Sequence, residues 1–179
     1  MQIKNTENHY GLVAISLHWV IAILIIGLVI LGLYMTGLPK NPEKLKLYGW
    51  HKEFGILILV LAMLRIVWRI GSIVPLLPNS IPDWQKLVAH MVHWAFYGFM
   101  FAQPITGWLM SSAAGIPVSF FGLFVLPDLI SPNDVYKAIF RETHEWLAYA
   151  VIVLFFAHVG AALKHHFISK NDVLRKMLP

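Results

Sequence analysis

The sequence predicts an all-α, integral membrane four-helix bundle, and three observations carry that prediction. Hydrophobic residues make up 58% of the 179 residues and charged ones only 13%, against roughly 25% charge in a soluble domain. The mean hydropathy is +0.67. The apolar residues also fall into four long runs, each near the ~20 residues needed to cross a bilayer, parted by proline- and charge-bearing connections. Cysteine is absent, which excludes disulfides, iron–sulfur clusters, thiol catalysis and covalent C-x-x-C-H cofactor attachment. A net charge of +5 spread along the chain argues against nucleic-acid binding and suits membrane loops.

Residues 1–179 read as one transmembrane domain. Residues before Gly11 are polar. The first span runs from about Ala14 to Thr36, and Pro39 and Pro42 end it. It has no basic stretch, short apolar core and cleavage site, so it reads as a retained helix rather than a signal peptide. The second, from about Tyr48 to Ile70, opens with Trp50-His51-Lys52-Glu53 and closes with Arg65 and Arg69. Pro75, Pro78 and Pro82 make the next segment a loop, because proline cannot continue a helix. The third span, about Lys86 to Ser112, carries His90 and His93 early and Pro104 inside, where a kink is expected. A connection from Ala113 to Glu142 follows, whose apolar run Phe120–Leu126 is too short to span and is expected at the membrane interface. The fourth span runs from about Thr143 to Ile168. Four spans place both termini on one side, and eight Lys and Arg on that side against six on the other favour cytoplasmic termini.

The fourth span carries the chemistry. His144 and His158 lie 14 residues apart, about 21 Å along a helix and only about 40° from a whole number of turns. Both rings therefore leave the same face at different depths. A histidine inside an apolar rod is costly without a partner. Alternating helix directions put His18 at the depth of His158 and His51 at the depth of His144. Single histidines near an interface are usually polar anchors, but two depth-matched pairs point to ligation. Two imidazoles across a flat apolar gap suit haem b, whereas a closed zinc site needs about four converging ligands. His90 and His93 sit at a depth where they could replace His18 or line its pocket. Gly55 and Gly160 offer places for a porphyrin to approach the backbone, although glycine also serves plain helix packing.

Arg65 follows His51 by 14 residues, which sets it at the depth of the His18–His158 pair as a candidate partner for haem propionates. Arg69 is expected to snorkel to the headgroups. His165, seven residues beyond His158, is a candidate proton-handling group beside the inner haem. Lys44, Lys46 and Lys52 form a basic loop that could draw an anion, with Glu43 and Glu53 opposing it.

Ser16-x-His18-Trp19, His51 with Arg65 and Arg69, His90-x-x-His93, Pro104-x-x-Gly107, His144-Glu145, His158 and the ending Ala161-Ala162-Leu163-x-His165-His166 resemble the prokaryotic cytochrome b561 family over nearly the whole chain. The tail from Asn171 to Met177 shares that likeness. The resemblance implies a bacterial inner-membrane protein with two haems b, with His18, His51, His144 and His158 as axial iron ligands, and leaves His90 and His93 off the iron. Within the family the chain resembles the stand-alone superoxide oxidases, which implies oxidation of periplasmic superoxide and reduction of ubiquinone. Its expected partners are membrane lipids, quinone, superoxide or another donor, and a soluble redox protein if the chain instead serves as the cytochrome subunit of a hydrogenase or dehydrogenase. A haem-free structural or metal-transport protein is the reading that lies outside electron transfer.

Overall fold

In the computed structural model, which describes residues 2–178, four helices follow the chain: α1 (Leu12–Gly37), α2 (Pro42–Ile70), α3 (Asp83–Ala113) and α4 (Asp134–Phe167). Two short strands, β1 (Val118–Phe120) and β2 (Phe124–Leu126), stand between α3 and α4. Close packing runs α1 on α2, α2 on α3 and α3 on α4. The bundle exterior is apolar on all four helices, as Ile23, Val67, Met91 and Phe156 show, each more than 60% exposed. Contiguous apolar surface of that kind marks contact with lipid. On length and composition alone, α1 and α4 can cross a membrane; α2 and α3 carry arginines, lysines, histidines and two glutamines.

Each boundary has a local cause. The Asn41 side chain accepts the Lys44 N–H at 2.8 Å with Pro42 at the first helical position, so α2 starts well before Tyr48. Asn133 accepts from Val135 and Tyr136 N–H at 2.9 and 3.1 Å, and α4 begins there rather than at Thr143. The expected long connection before the fourth span is therefore shorter, its last part being the first turns of α4. At the end of α3 the Ile116 N–H reaches the Ser111 carbonyl at 3.0 Å, with Gly115 at φ +66°. This is the left-handed close that glycine favours. The Phe120–Leu126 run becomes an antiparallel hairpin pairing Val118 with Leu126 and Phe120 with Phe124. Its turn at Phe121 and Gly122 has φ of 50° and 73°, as a primed hairpin turn requires. Val118 and Leu126 pack on Ile56 of α2.

The opposite end of the bundle is closed by three segments far apart in sequence. Asn5 donates to the Ile73 carbonyl at 2.8 Å and accepts the Gly11 N–H at 2.8 Å. Lys176, nearly buried, donates to the Leu76 carbonyl at 2.8 Å. Trp19 donates to the Met177 carbonyl at 2.7 Å. The N-terminal arm, the α2–α3 loop and the tail thus form one cap over the terminal side.

Candidate functional site

The depth-matched histidines meet in space. His51 of α2 and His144 of α4 have ring centres 6.1 Å apart; His18 of α1 and His158 of α4 are 6.3 Å apart. Two imidazoles sharing one metal at about 2.0–2.1 Å per nitrogen would hold their ring centres about 6 Å apart, so each gap fits a single iron. Both pairs also bridge helices that are not in close backbone contact, since α4 packs closely on α3 alone. Gaps spanned by side chains leave room for a flat group.

His144 is held in one orientation. Its Nδ1 lies 3.0 Å from the Gln103 carbonyl and 3.2 Å from Thr106 Oγ1. A carbonyl only accepts, so Nδ1 carries the proton and Nε2 is left bare, the arrangement metal-ligating histidines use. Gln103 Nε2 also donates to the His144 carbonyl at 3.0 Å. Pro104, buried within the continuous α3, lacks an N–H and so cannot donate to the Met100 carbonyl one turn before these groups. Two glycines pack against the outer rings. A Cβ on Gly32 would lie 3.3 Å from His51 Cε1, and one on Gly107 3.2 Å from His144 Cε1. Gly55 and Gly160, singled out in the sequence, face open space instead. His51 Nδ1 is buried with no hydrogen-bond partner.

The inner pair is more crowded. His93 stands 5.8 Å from His158, nearer than His18 at 6.3 Å, and Phe96 lies against the same ring at 5.3 Å. Distance alone therefore leaves His18 and His93 both able to face His158. His90, by contrast, is exposed. Among the described residues no three metal-ligating side chains converge, which disfavours a closed zinc site.

Arg65 Nη2 lies 3.0 Å from His18 Nδ1. Guanidinium can only donate, so this bond uses the Nδ1 lone pair and leaves the proton of a neutral ring on Nε2. Ligation through His18 Nε2 thus requires Arg65 to turn to another acceptor. Arg69 does not run outward to the surface: its guanidinium stacks over Trp94 and Tyr97 at 5.9 and 5.8 Å. Aromatic faces near the helix end hold the cation inward.

His165 lies elsewhere, with Nδ1 3.0 Å from Asn171 Nδ2. It lines a polar cavity of about 120 Å³ with Ser80, Gln85, Lys164 and Ser169, well below the ~300 Å³ of a ligand pocket. The three loop lysines do not converge. Lys44 donates to the Leu38 carbonyl at 2.6 Å, Lys52 to the Pro117 carbonyl at 2.8 Å, and Lys46 covers Trp50 at 4.9 Å.

Sequence reasoning missed Gly32, Gln103, Thr106 and the inward turn of Arg69. Only Gly107 had a signal, its place in the Pro104-x-x-Gly107 pattern.

A family model described as prokaryotic cytochrome b561 matches residues 9–179. The chain is 37% identical to cytochrome b561 homolog 2 of Escherichia coli K12, over 99% of this chain and 95% of that protein. It is 31% identical to cytochrome b561 homolog 1 of the same organism, over 96% and 98%. It is 29% identical to the probable superoxide oxidase CybB of Yersinia pestis, over 97% of each.

Proposed function

The chain belongs to the prokaryotic cytochrome b561 family, a family of membrane electron-transfer proteins that bind haem b, and on that premise we propose that it oxidises superoxide and reduces quinone across the bundle. The observation that carries the reading is the pair of histidine gaps, 6.1 and 6.3 Å between ring centres, stacked along one helix. Haem b, when bound between such rings, supplies one-electron transfer. The chain's residues do the rest. His51 and His144 hold the site under the hairpin, with Gln103 and Thr106 fixing the His144 tautomer. His18 and His158 hold the site toward the terminal cap, with Arg65 beside it. With a histidine on each side of the gap to hold a haem there, electrons would pass without the donor binding its iron, which suits a small one-electron reductant.

The overall reaction balances as two superoxide anions and a quinone with two protons giving two dioxygen and a quinol. Superoxide is the donor borne by the name of the Yersinia relative, and the Lys52 ammonium, held at the base of the hairpin next to His51, offers positive charge for an anion. The cavity at His165 is too small for a quinone ring and suits water. His165 accordingly serves proton supply from the terminal side, taken as cytoplasmic on the Lys and Arg balance in an inner-membrane protein. A second reading, a cytochrome subunit fed by a soluble dehydrogenase, draws on the apolar hairpin tip, where Leu123 is 76% exposed.

The test is haem stoichiometry by pyridine haemochrome on His51→Ala and His18→Ala, followed by superoxide-driven quinone reduction. Each variant should lose one of two haems. Unchanged haem content in both overturns the ligand assignment. No superoxide-driven reduction by the isolated chain, with salt-sensitive co-purification of a dehydrogenase, favours the subunit reading.

A further inference from the structure

The terminal end of α2 holds more positive charge and more donors than the fold around it can satisfy. Arg65 and Arg69 lie one helical turn apart and both stack over Tyr97, each at 5.8 Å. Tyr97 is itself buried. Among the described residues neither arginine forms a salt bridge. Arg65 reaches the Tyr97 hydroxyl and His18 Nδ1, and the second is one it must give up if His18 ligates through Nε2. Trp68, between them in sequence, keeps its buried indole N–H without an acceptor. Tyr10 comes from the N-terminal arm to the same place. Burial pushes its phenol up from the ordinary value of 10.0, and the charges of Arg69 and Arg65 pull it part of the way back.

Two guanidinium forks and a phenol, close to each other and without an anion, are matched by a pair of carboxylates. Arginine pairs with carboxylate in bidentate geometry, and an unpaired cation in a membrane bundle is costly. We propose that Arg65 and Arg69 clamp the two propionates of the inner haem, one each, and that Tyr10 closes the clamp from the N-terminal arm. This rests on the His18–His158 site of the proposed function and extends it to two residues, Arg69 and Tyr10, from outside the ligand set. It sets the carboxylate edge of that haem toward the terminal cap. It also explains why the arm is fastened so firmly, through Asn5 to Ile73 and Gly11.

The competing source of the same chemistry is the phosphate of a bound phospholipid. The experiment is an anaerobic optical redox titration of the full-length, haem-loaded protein and its Arg69→Gln, Arg69→Lys and Tyr10→Phe variants, with phosphorus per chain measured alongside. Loss of a positive charge beside the propionates favours the oxidised form. Arg69→Gln should shift the oxidised-to-reduced ratio of one haem by about tenfold, which is about 59 mV for a one-electron couple, and leave the other unmoved. Arg69→Lys should restore most of that shift, and Tyr10→Phe should produce a smaller one in the same haem. Two retained haems with both potentials unmoved in Arg69→Gln would overturn the clamp and leave the ligand assignment standing. Loss of bound phosphorus without a change in potential would assign the arginines to lipid and overturn it too, as would equal disturbance of both haems. A protein with no haem spectrum at all would instead strike at the proposed function itself.

Discussion

Replacing Gly107 by alanine adds one methyl group at the point where α3 meets the His144 ring. The new Cβ would sit 3.2 Å from Cε1 and 3.4 Å from Nδ1, closer than ordinary van der Waals contact. The ring cannot simply swing away, because its Nδ1–H is held by the Gln103 carbonyl at 3.0 Å and by Thr106 Oγ1 at 3.2 Å. It must either give up those bonds or move along α4 relative to His51, a few tenths of an ångström in either case. Overpacking of this kind costs about 1–3 kcal/mol. If that cost falls on the haem-bound geometry, retention at the outer site weakens about 5- to 140-fold, at about 1.4 kcal/mol per tenfold. The assay is the rate of haem loss to an excess of an apo-haem acceptor, read by absorbance, with Gly98→Ala as control because its Cβ would meet nothing within 4 Å. One of the two phases should accelerate in Gly107→Ala, and neither in Gly98→Ala. Equal rates in the two variants would refute the argument that the crowding of Gly107 on His144 positions a ligand.

Further measurements reach other parts of the molecule. His93→Ala should keep two haems in a pyridine-haemochrome assay, whereas His18→Ala should keep one; the reverse result would make His93 the ligand facing His158. Gly11→Ala would bring its Cβ within 2.6 Å of the Lys4 carbonyl oxygen and closer still to that of Ile3, so the arm should detach, seen as faster proteolysis before residue 11. Asn133→Ala should lower stability by about 1 kcal/mol through loss of the α4 cap, measured as a shift in thermal unfolding of the detergent-solubilised protein. The raised Tyr10 value means the folded chain holds that phenolic proton longer than the unfolded one. Its contribution is therefore full below pH 10 and declines as pH rises beyond it, a slope that Tyr10→Phe should remove from arm protection in hydrogen exchange.

The legibility of the site follows from the kind of spacing each residue has. His144 and His158 share one helix, so their relation is set by helical geometry alone, and the alternation of four helices then fixes which histidine lies at each depth. The same rule sets His165 beyond His158, yet its neighbours, Ser80, Gln85 and Asn171, come from the α2–α3 loop, the first turn of α3 and the tail. Helix periodicity does not speak about those. Arg69 shows the opposite failure. At a helix end a snorkelling arginine is the simplest expectation, but Trp94 and Tyr97 of α3 offer their faces, and which helix lies beside Arg69 is a fact of packing. Lys44 and Lys52 look like a basic patch in the chain, but in the fold each is tied to a backbone carbonyl.

By itself, then, the sequence determined the apolar four-helix plan, the absence of thiol chemistry and the depths that set His18 near His158 and His51 near His144, because these depend on composition, on spacing along single helices and on their alternating directions. Only the tertiary structure decided how wide the gaps are, which tautomer His144 holds, where glycine is indispensable and that Arg69 turns inward. The physical reason is that those properties belong to contacts between helices, where distances of a few tenths of an ångström and the choice of donor or acceptor depend on residues tens of positions apart.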